Sequence, residues 1–322
     1  MFTNRHIFLA ILLVWGISAS ANPDQWRSEW PDTDFSQTSI DFAEVMSGGP
    51  PKDGIPALDG AIFIPVASES RLDDREPVMT YEHPGELPRA WPIRYLMWHE
   101  IVNDTVGGMP IAVTYCPLCN TGIIFDARID GVPHSFGVSG KLRFSDMIMY
   151  DRETQSWWQQ ALGEGVVGHH TGTSLTQLPG WMESWASFRD RNPEGLVMDE
   201  PDWRRNYGSN PYVSYDSSIR PFLFNGEMPP HGVPALARVV RVDAQAWPLE
   251  RIRAAGTLTE AGFTLTWVAG QASALDTGRI GEGAEVGNIR VRDTAGRDVA
   301  HDIPFAFAFH AFFPDGEWML GD

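Results

Sequence analysis

Short apolar runs separated by glycine, proline and polar residues make up most of the sequence. Runs rich in β-branched and aromatic residues predict strands at residues 61–65, 111–115, 123–129, 135–138, 147–150, 156–159, 239–242, 263–268, 289–293 and 303–313. The Asp130-Gly131 pair and the polar stretch 151–154 separate such runs, and each predicts the turn of a β-hairpin.

Helical spacing is rarer along the chain. Apolar residues recur every three or four positions over residues 93–102, which predicts the first helix. Residues 181–189 predict a second short helix. Residues 248–255 predict a third, because Pro248 suits its first turn and Gly256 suits its end.

The predicted fold class is mainly β (α+β). The elements predict a single β-rich domain of antiparallel hairpins with a few short helices over residues 46–322, preceded by a polar arm over residues 22–45. The composition agrees, because 13 Trp, 31 Gly and 24 Pro in 322 residues favour short elements joined by turns over a helical bundle. No repeat of fixed period is present.

The first 21 residues predict a secretory signal peptide. Arg5 precedes an apolar run over residues 7–17, and small residues follow as far as Ala21. Cleavage after Ala21 would leave Asn22 as the first residue and place the protein in the periplasm or outside the cell. No second apolar run has spanning length, so we expect no stable transmembrane span in the mature chain.

The chain is strongly acidic: 24 Lys and Arg against 42 Asp and Glu give a net charge of −18. Removal of the signal peptide takes away Arg5 and no acid, so 23 cations against 42 acids leave the mature chain at −19. No basic stretch interrupts this charge, which argues against nucleic acid as a partner. A metal ion or a small molecule is the expected partner, and the sequence identifies no protein partner.

One turn holds both cysteines of the chain, Cys116 and Cys119. Pro117 suits a tight turn after the preceding strand, and Asn120 is one of the few residues besides Gly that adopts the left-handed conformation readily. Three interpretations compete. They are a thioredoxin-like redox pair, which the following strand disfavours, a two-thiolate metal knuckle, and a structural pair that is either reduced or joined by a disulfide.

A metal site at this turn needs other ligands, because the chain has no further cysteine. His99 is the expected third ligand, since its predicted helix leads through one loop into the cysteine strand. Met147 and Met149 share one face of a predicted strand, and thioether, thiolate and imidazole form a soft donor set that suits copper, with zinc as the other candidate. The alternatives are a packed or capping role for His99 and core packing for both methionines.

Other polar residues are more ambiguous. Adjacent strand residues point to opposite faces, which argues against joint chelation by His169 and His170. His310 ends the small-residue face of the strand predicted at 303–313. Asp146 is a candidate carboxylate for a metal-independent enzyme. No catalytic residue is identified, because the motifs of serine hydrolases, phosphate-binding loops, dinucleotide-binding folds and His-Glu-x-x-His metallopeptidases are absent.

Several segments in a fixed order resemble one protein family. They are GGPPKDGIP at 48–56, WHEIVND at 98–104, TYCPLC at 114–119, FGVSG at 136–140, MYDR at 149–152, PL at 248–249, SALD at 273–276 and AFHAF at 308–312. The combination resembles the bacterial and archaeal domain-of-unknown-function family 3179 over residues 45–315. The resemblance implies one continuous exported domain and supplies no activity. Members usually have Gly after the second cysteine, and Asn120 is a change that a left-handed turn tolerates.

The favoured hypothesis is therefore an exported metal-binding protein with copper favoured over zinc. Its expected ligands are Cys116, Cys119, His99 and Met147, and its expected role is metal handling or redox chemistry. The alternative is a non-catalytic β-rich binding or structural module with a Cys116-Cys119 disulfide. Whether the protein is an enzyme stays open at this point.

Overall fold

The computed structural model describes residues 23–321, so the predicted signal peptide lies outside the described residues. Strands are the main secondary structure, as the sequence predicts. The strands of the described residues are β1 (Val45–Ser47), β2 (Leu58–Asp59), β3 (Phe63–Pro65), β4 (Pro77–Tyr81), β5 (Arg89–Pro92), β6 (Ile101–Val106), β7 (Met109–Cys116), β8 (Thr121–Asp126), β9 (Arg128–Ile129), β10 (Val132–Pro133), β11 (Phe136–Arg143), β12 (Asp146–Asp151), β13 (Trp157–Gln159), β14 (Glu164–Val167), β15 (Trp181–Ser184), β16 (Leu196–Met198), β17 (Val239–Val242), β18 (Gln245–Pro248), β19 (Thr257–Glu260), β20 (Phe263–Val268), β21 (Asn288–Asp293) and β22 (Glu317–Trp318).

The α-helices of the described residues are seven residues long each. They are α1 (Ile93–His99), α2 (Trp185–Arg191), α3 (Leu249–Ala255) and α4 (Ala306–Phe312). Short 3-10 helices lie at Pro23–Gln25, Phe42–Glu44, Val66–Ser68, Tyr215–Ser217 and Ile280–Glu282. Within residues 23–321, no helix combines the length and the apolar character that crossing a membrane requires.

The strands form five sheets of three to five strands and one two-stranded sheet. The strand orders are β1-β11-β12-β13-β14, β2-β6-β7-β8, β15-β4-β5-β16-β3, β17-β18-β22, β19-β20-β21 and β10-β9. Most pairs are antiparallel, but β2 with β6, β5 with β16, and β18 with β22 are parallel. Antiparallel hairpins are therefore only part of the architecture, because each parallel pair joins strands that a long crossover separates in sequence.

Of the two hairpins predicted from the sequence, one agrees with the structure more closely than the other. The hairpin around residues 151–154 is confirmed, since β12 pairs with β13 in antiparallel register. The hairpin at Asp130-Gly131 joins only the two-residue strands β9 and β10. The longer strands on either side of it, β8 and β11, belong to different sheets.

Two predicted helices have different bounds in the structure. The first helix ends at His99, because Glu100 has a φ of 58° and β6 follows immediately. The helix expected at residues 181–189 begins only after β15. Ser184 caps α2 by accepting a hydrogen bond from the backbone N–H of Ser187 at 3.3 Å.

The strand predicted at residues 303–313 is wrong, because most of this segment forms α4. The backbone N–H groups of Ala306 and Phe307 donate to the carbonyls of Ala237 and Ala235, so a neighbouring segment satisfies the first turn of the helix. The apolar residues of α4 are buried on several sides. A helix without a polar face has no 3.6-residue pattern to distinguish it from a buried strand.

The hairpin of β7 and β8 lies in the largest apolar cluster of the described residues, together with side chains of α1, β6, β11 and β12. Side chains of the arm pack on a neighbouring cluster. The rings of Trp30 and Phe35 each lie 5.4 Å from the ring of Trp157 in β13, measured between centroids. The arm is thus held by aromatic contacts against the sheet that contains β12 and β13.

Candidate metal centre

Both cysteines lie at the tip of the hairpin formed by β7 and β8. Cys116 ends β7 and pairs with Thr121, the first residue of β8, so Cys119 lies in the short connection. Asn120 has a φ of 55°, the left-handed conformation that the sequence predicts, and its N–H donates to the Pro117 carbonyl at 3.3 Å. This turn brings the two sulfurs within 4.8 Å of each other.

Hydrogen bonds from distant parts of the chain hold the turn. The Tyr215 hydroxyl donates to the carbonyl of the residue before Cys119 at 2.9 Å. The backbone N–H of Phe305 donates to the Cys119 carbonyl at 2.9 Å, and the side-chain amide of Asn120 donates to the Ile303 carbonyl at 2.7 Å. The thiols are therefore positioned by the tertiary structure as well as by the local turn.

Asp146 brings a carboxyl group to the two thiols. It begins β12 directly after Phe144 and Ser145, whose φ angles of 50° and 70° are those of a type I′ hairpin turn. The Ser145 carbonyl accepts a hydrogen bond from the Cys116 thiol at 3.7 Å. One ligand atom of each of Cys116, Cys119 and Asp146 lies within 4.8 Å of the others, and both cysteines are free thiols. We call these three residues the cysteine cluster.

The two oxygens of the Asp146 carboxyl group have different surroundings. Oδ2 accepts hydrogen bonds from the Gln159 side-chain amide at 2.6 Å and from the Ala161 N–H at 2.9 Å. Oδ1 lies 3.4 Å from the Thr121 hydroxyl, which donates to Gln160 at a shorter 2.7 Å, and the thiols of Cys116 and Cys119 also bond to this carboxyl group. A carboxylate has about four lone-pair sites, so this group keeps acceptor capacity toward the thiols.

A second carboxyl group, that of Glu100, approaches the cluster from the end of α1. Its backbone is fixed on both sides, because the Glu100 N–H donates to the Leu96 carbonyl at 2.7 Å and its carbonyl accepts from the Tyr115 N–H at 2.8 Å. The residue is only 9% exposed. Its carboxyl group takes part in no hydrogen bond found among the described residues. Sequence reasoning missed Glu100, since an acid between a helix and a strand is common.

Burial disfavours the charged form of each group at this site. It raises the pKa of Asp146 to about 6 and that of Glu100 to about 8, where repulsion from Asp146 contributes as well. Burial also raises the pKa of the Cys116 thiol and raises that of Cys119 well above its usual range. No ion pair within residues 23–321 involves these four groups. A cation placed among them would lower all four pKa values.

His99, the third ligand expected from the sequence, is not part of the cysteine cluster. Its Nδ1 lies 2.8 Å from the Pro56 carbonyl and its Nε2 lies 2.6 Å from the Tyr207 hydroxyl. A carbonyl can only accept, so Nδ1 donates and Nε2 accepts the hydroxyl proton. Both ring nitrogens are occupied, and burial lowers the pKa of the imidazole. Asp146 lies at the thiols where the sequence predicted His99.

The other residues considered from the sequence lie in different places. Met147 and Met149 are buried in the same apolar cluster as the cysteines. Strand alternation directs the Met147 side chain away from the face of β12 that carries Asp146. His310 lies in a helix, where its Nδ1 is buried without a hydrogen-bond partner among the described residues.

An irregular segment, residues 211–222, covers the cysteine hairpin. The Ser145 hydroxyl donates to the Phe222 carbonyl, and the Phe222 N–H donates to the Tyr215 hydroxyl at 3.3 Å. A cavity of about 420 Å³ lies in this segment and reaches the hairpin at Leu118. Solvent and small molecules can therefore reach Leu118, which lies between the two cysteines, from this side.

Comparison with known proteins gives the family of the chain. The model of a family described as a protein of unknown function (DUF3179) matches residues 52–316. The chain belongs to the DUF3179 family. The resemblance drawn from the ordered motifs is confirmed by this match. No curated protein and no solved structure matches the chain.

The DUF3179 match contains the whole cysteine cluster and Glu100, and it begins after the aromatic arm. The description of DUF3179 includes no activity, ligand or cofactor. The function must therefore be argued from the chemistry of the site.

Proposed function

We propose that this chain is an exported metal-binding protein that holds one transition metal ion between the thiolates of Cys116 and Cys119 and the carboxylate of Asp146. The convergence of these three ligand atoms within 4.8 Å carries the proposal. Zinc binds sulfur at about 2.3 Å and carboxylate oxygen at about 2.0–2.2 Å in a tetrahedral arrangement, so ligand atoms around one ion lie about 3.5–3.8 Å apart. Small side-chain movements would complete the site.

The charge balance of the site supports a bound cation. Four acidic groups, the two thiols and the carboxyl groups of Asp146 and Glu100, share one buried region without an ion-pair partner among the described residues. Buried acids are normally paired, hydrogen-bonded or bound to a metal. A divalent ion would compensate two thiolates and leave one carboxylate charge in excess, that of Asp146, as long as Glu100 keeps its proton.

The donor set favours zinc over copper. Two thiolates suit either ion, but copper(I) prefers soft donors, whereas zinc accepts sulfur and carboxylate oxygen together. The imidazole and thioether that made copper the first choice from the sequence have been replaced by the carboxylate of Asp146. Copper is accordingly the second candidate in this proposal.

Burial of all three ligands supports a resident ion rather than rapid metal transfer. Cys119 and Asp146 have no exposed surface, and Cys116 is 2% exposed. A partner that removed the ion from the side of residues 211–222 would have to displace that segment. We therefore favour a structural or catalytic ion over metal handling.

A catalytic role has one specific observation in its favour. Glu100 stands beside the cluster with a carboxyl group that has no hydrogen-bond partner among the described residues. Three protein ligands leave a fourth position open on zinc, where the metal lowers the pKa of a bound water. Burial raises the pKa of Glu100 in the metal-free protein, and a bound cation would lower it again, so Glu100 is suited to accept a proton from that water near neutral pH. A zinc-bound water with Glu100 as its proton acceptor would serve hydrolysis.

The decisive test is Co²⁺ binding to the reduced protein, followed by thiolate-to-cobalt charge-transfer absorption. We expect one equivalent with this absorption in the wild type. Cys116→Ser should lose the absorption, and Asp146→Asn should weaken binding by about 10–100-fold or more, as even outer-shell changes do. Competition with Zn²⁺ and with Cu⁺ then ranks the two candidate ions.

His99→Ala is the matched control, because both ring nitrogens of His99 are bonded elsewhere. We expect its charge-transfer absorption to equal that of the wild type. Loss of the absorption in His99→Ala would restore the ligand set predicted from the sequence. A reduced wild type with two titratable thiols and no absorption would contradict the metal proposal. The absence of free thiols in the native, unreduced protein would favour the disulfide module. Sequencing the N-terminus of exported protein tests cleavage after Ala21.

A further inference from the structure

Strand β12 carries an aspartate at each end, Asp146 at its start and Asp151 at its finish. At the Asp151 end, one ligand atom of each of His134, Asp151 and His170 lies within 4.8 Å of the others. We call these residues the histidine cluster. A strand rises about 3.3 Å per residue, so the two aspartates are about 16 Å apart along β12 and the clusters are separate.

Three different elements build the histidine cluster. His134 lies between β10 and β11, and Asp151 pairs with Phe136 at the start of β11. His170 lies in the loop after β14, where its backbone N–H donates to the Ser156 hydroxyl at 3.1 Å. The imidazole rings of His134 and His170 lie 5.3 Å apart between centroids at an angle of 83°.

The polar atoms of this cluster converge without bonding to one another. The Nε2 atom of His170 is buried and has no hydrogen-bond partner in the described structure. His134 donates its Nδ1 proton to the Val132 carbonyl at 2.9 Å, which leaves the lone pair on Nε2. Within residues 23–321, neither imidazole forms a hydrogen bond with Asp151. Buried polar atoms nearly always have a hydrogen-bond partner, so the unpaired Nε2 of His170 points to a bound ligand.

The Asp151 carboxylate is oriented by other residues and keeps one acceptor site. Oδ1 accepts from the Thr154 N–H, at 2.6 Å, and Oδ2 accepts from the Trp158 indole at 2.9 Å. The Thr154 hydroxyl supplies a third proton to this carboxylate. Three donors leave about one of the four lone-pair sites for another ligand. Metal-binding carboxylates and imidazoles are typically held by such outer hydrogen bonds.

We propose that His134, Asp151 and His170 form a second metal site, which binds a divalent transition metal ion such as Zn²⁺. Two imidazoles and one carboxylate are a ligand set that zinc takes, and they leave a fourth position for water or a substrate atom. This site contains no thiol, and it is independent of the cysteine cluster and of the function proposed for it.

The test is Zn²⁺ titration of protein that carries both Cys116→Ser and Cys119→Ser, so that thiolate ligation is removed. We expect one equivalent of Zn²⁺ to bind. His170→Ala in this background should weaken binding by more than about 100-fold, because loss of a ligand exceeds the 10–100-fold effect of an outer-shell change. His134→Gln should do the same from a different element of the fold.

His169→Ala is the matched control. His169 is the exposed neighbour of His170 and is not in the histidine cluster. It should leave Zn²⁺ binding unchanged. Equal losses in His169→Ala and His170→Ala would indicate adventitious binding by a loop and overturn the proposal. Binding that survives both His170→Ala and His134→Gln would overturn it as well, and circular dichroism confirms that the variants are folded.

Discussion

The two ends of β12 carry two ligand clusters that differ in charge and in burial. The cysteine cluster contains three acidic ligands that are almost completely inaccessible. The histidine cluster contains two imidazole ligands and one carboxyl group, and His170 is partly accessible. One strand thus places an aspartate in two different environments, about 16 Å apart.

This difference shows how burial and ligand charge decide the protonation and the hydrogen bonding of the ligands when no metal is bound. At the cysteine cluster burial favours the protonated form of each ligand, because buried charges without a counter-ion are strongly disfavoured. At the histidine cluster the imidazole of His170 stays neutral, since burial lowers its pKa, and its buried Nε2 remains unpaired. An ion at the cysteine cluster would displace protons from the thiols. An ion at the histidine cluster would instead give the unpaired Nε2 of His170 a partner.

The largest expected difference between the clusters is the pH dependence of Zn²⁺ binding. Each thiol of the cysteine cluster must lose a proton to bind, and burial raises both thiol pKa values. Its Kd should fall by about 100-fold per pH unit between pH 7 and 8, corresponding to two released protons. The histidine cluster should change little over the same range, because imidazoles ordinarily titrate near pH 6.5.

Isothermal titration in buffers of different ionisation enthalpy checks the proton count at each cluster. Variants isolate the sites, with Cys116→Ser for the histidine cluster and His170→Ala for the cysteine cluster. Equal pH slopes at the two clusters would contradict the assignment of thiolates to the first site.

A smaller difference concerns the stability of the metal-free protein. The folded-state pKa of Asp146 is raised to about 6 from an ordinary value of 3.8, so its contribution is complete below pH 3.8 and is lost as the pH rises through 6. About two pKa units correspond to at most about 3 kcal/mol. The pKa of His170 is lowered, so its contribution has the opposite sign and is lost as the pH falls below about 6.5.

Denaturant unfolding of metal-free protein at pH 4 and at pH 7 checks this prediction. Asp146→Asn cannot ionise, and it should lose less unfolding free energy than the wild type between these two pH values. A His170→Ala protein should not show that reduction. The same pH dependence in wild type and Asp146→Asn would exclude Asp146 as a buried, protonated group in the metal-free state.

The smallest expected effect concerns the turn that aims the thiols. Asn120→Ala places an alanine at a φ of 55° and removes the hydrogen bond to the Ile303 carbonyl. We expect a loss of about 2 kcal/mol in unfolding free energy, from about 1 kcal/mol for each effect. Asn120→Gly should lose only the hydrogen-bond part. Urea denaturation measures both, and neither variant should alter Zn²⁺ binding at the histidine cluster.

Much of the local structure could be predicted from the sequence. The strand β7, the cysteine turn with a left-handed Asn120, and α3 between Pro248 and Gly256 follow from short-range preferences of the backbone. The family could be identified from ordered motifs and is confirmed over residues 52–316. Segments whose surroundings override local pattern could not be predicted, and the all-apolar helix α4 is the clearest example.

The ligand sets depended on contacts that sequence spacing does not encode. His99 is close to the cysteines in sequence, yet its ring nitrogens are bonded to Pro56 and Tyr207. Asp146 reaches the thiols after a turn with positive φ at Phe144 and Ser145, a conformation that the spacing of the ligands along the chain does not predict. His170 shares the histidine cluster with His134 and Asp151, whereas its neighbour His169 is not in that cluster.

The sequence by itself determined that this chain is β-rich, acidic and a member of its family, and that two thiols share one tight turn. These properties depend on composition, on motif order and on interactions between residues a few positions apart. Only the tertiary structure decided which acids and imidazoles join which cluster. The reason is physical: ligands from separate strands and loops converge through the packing of sheets, and no period along the chain records that packing.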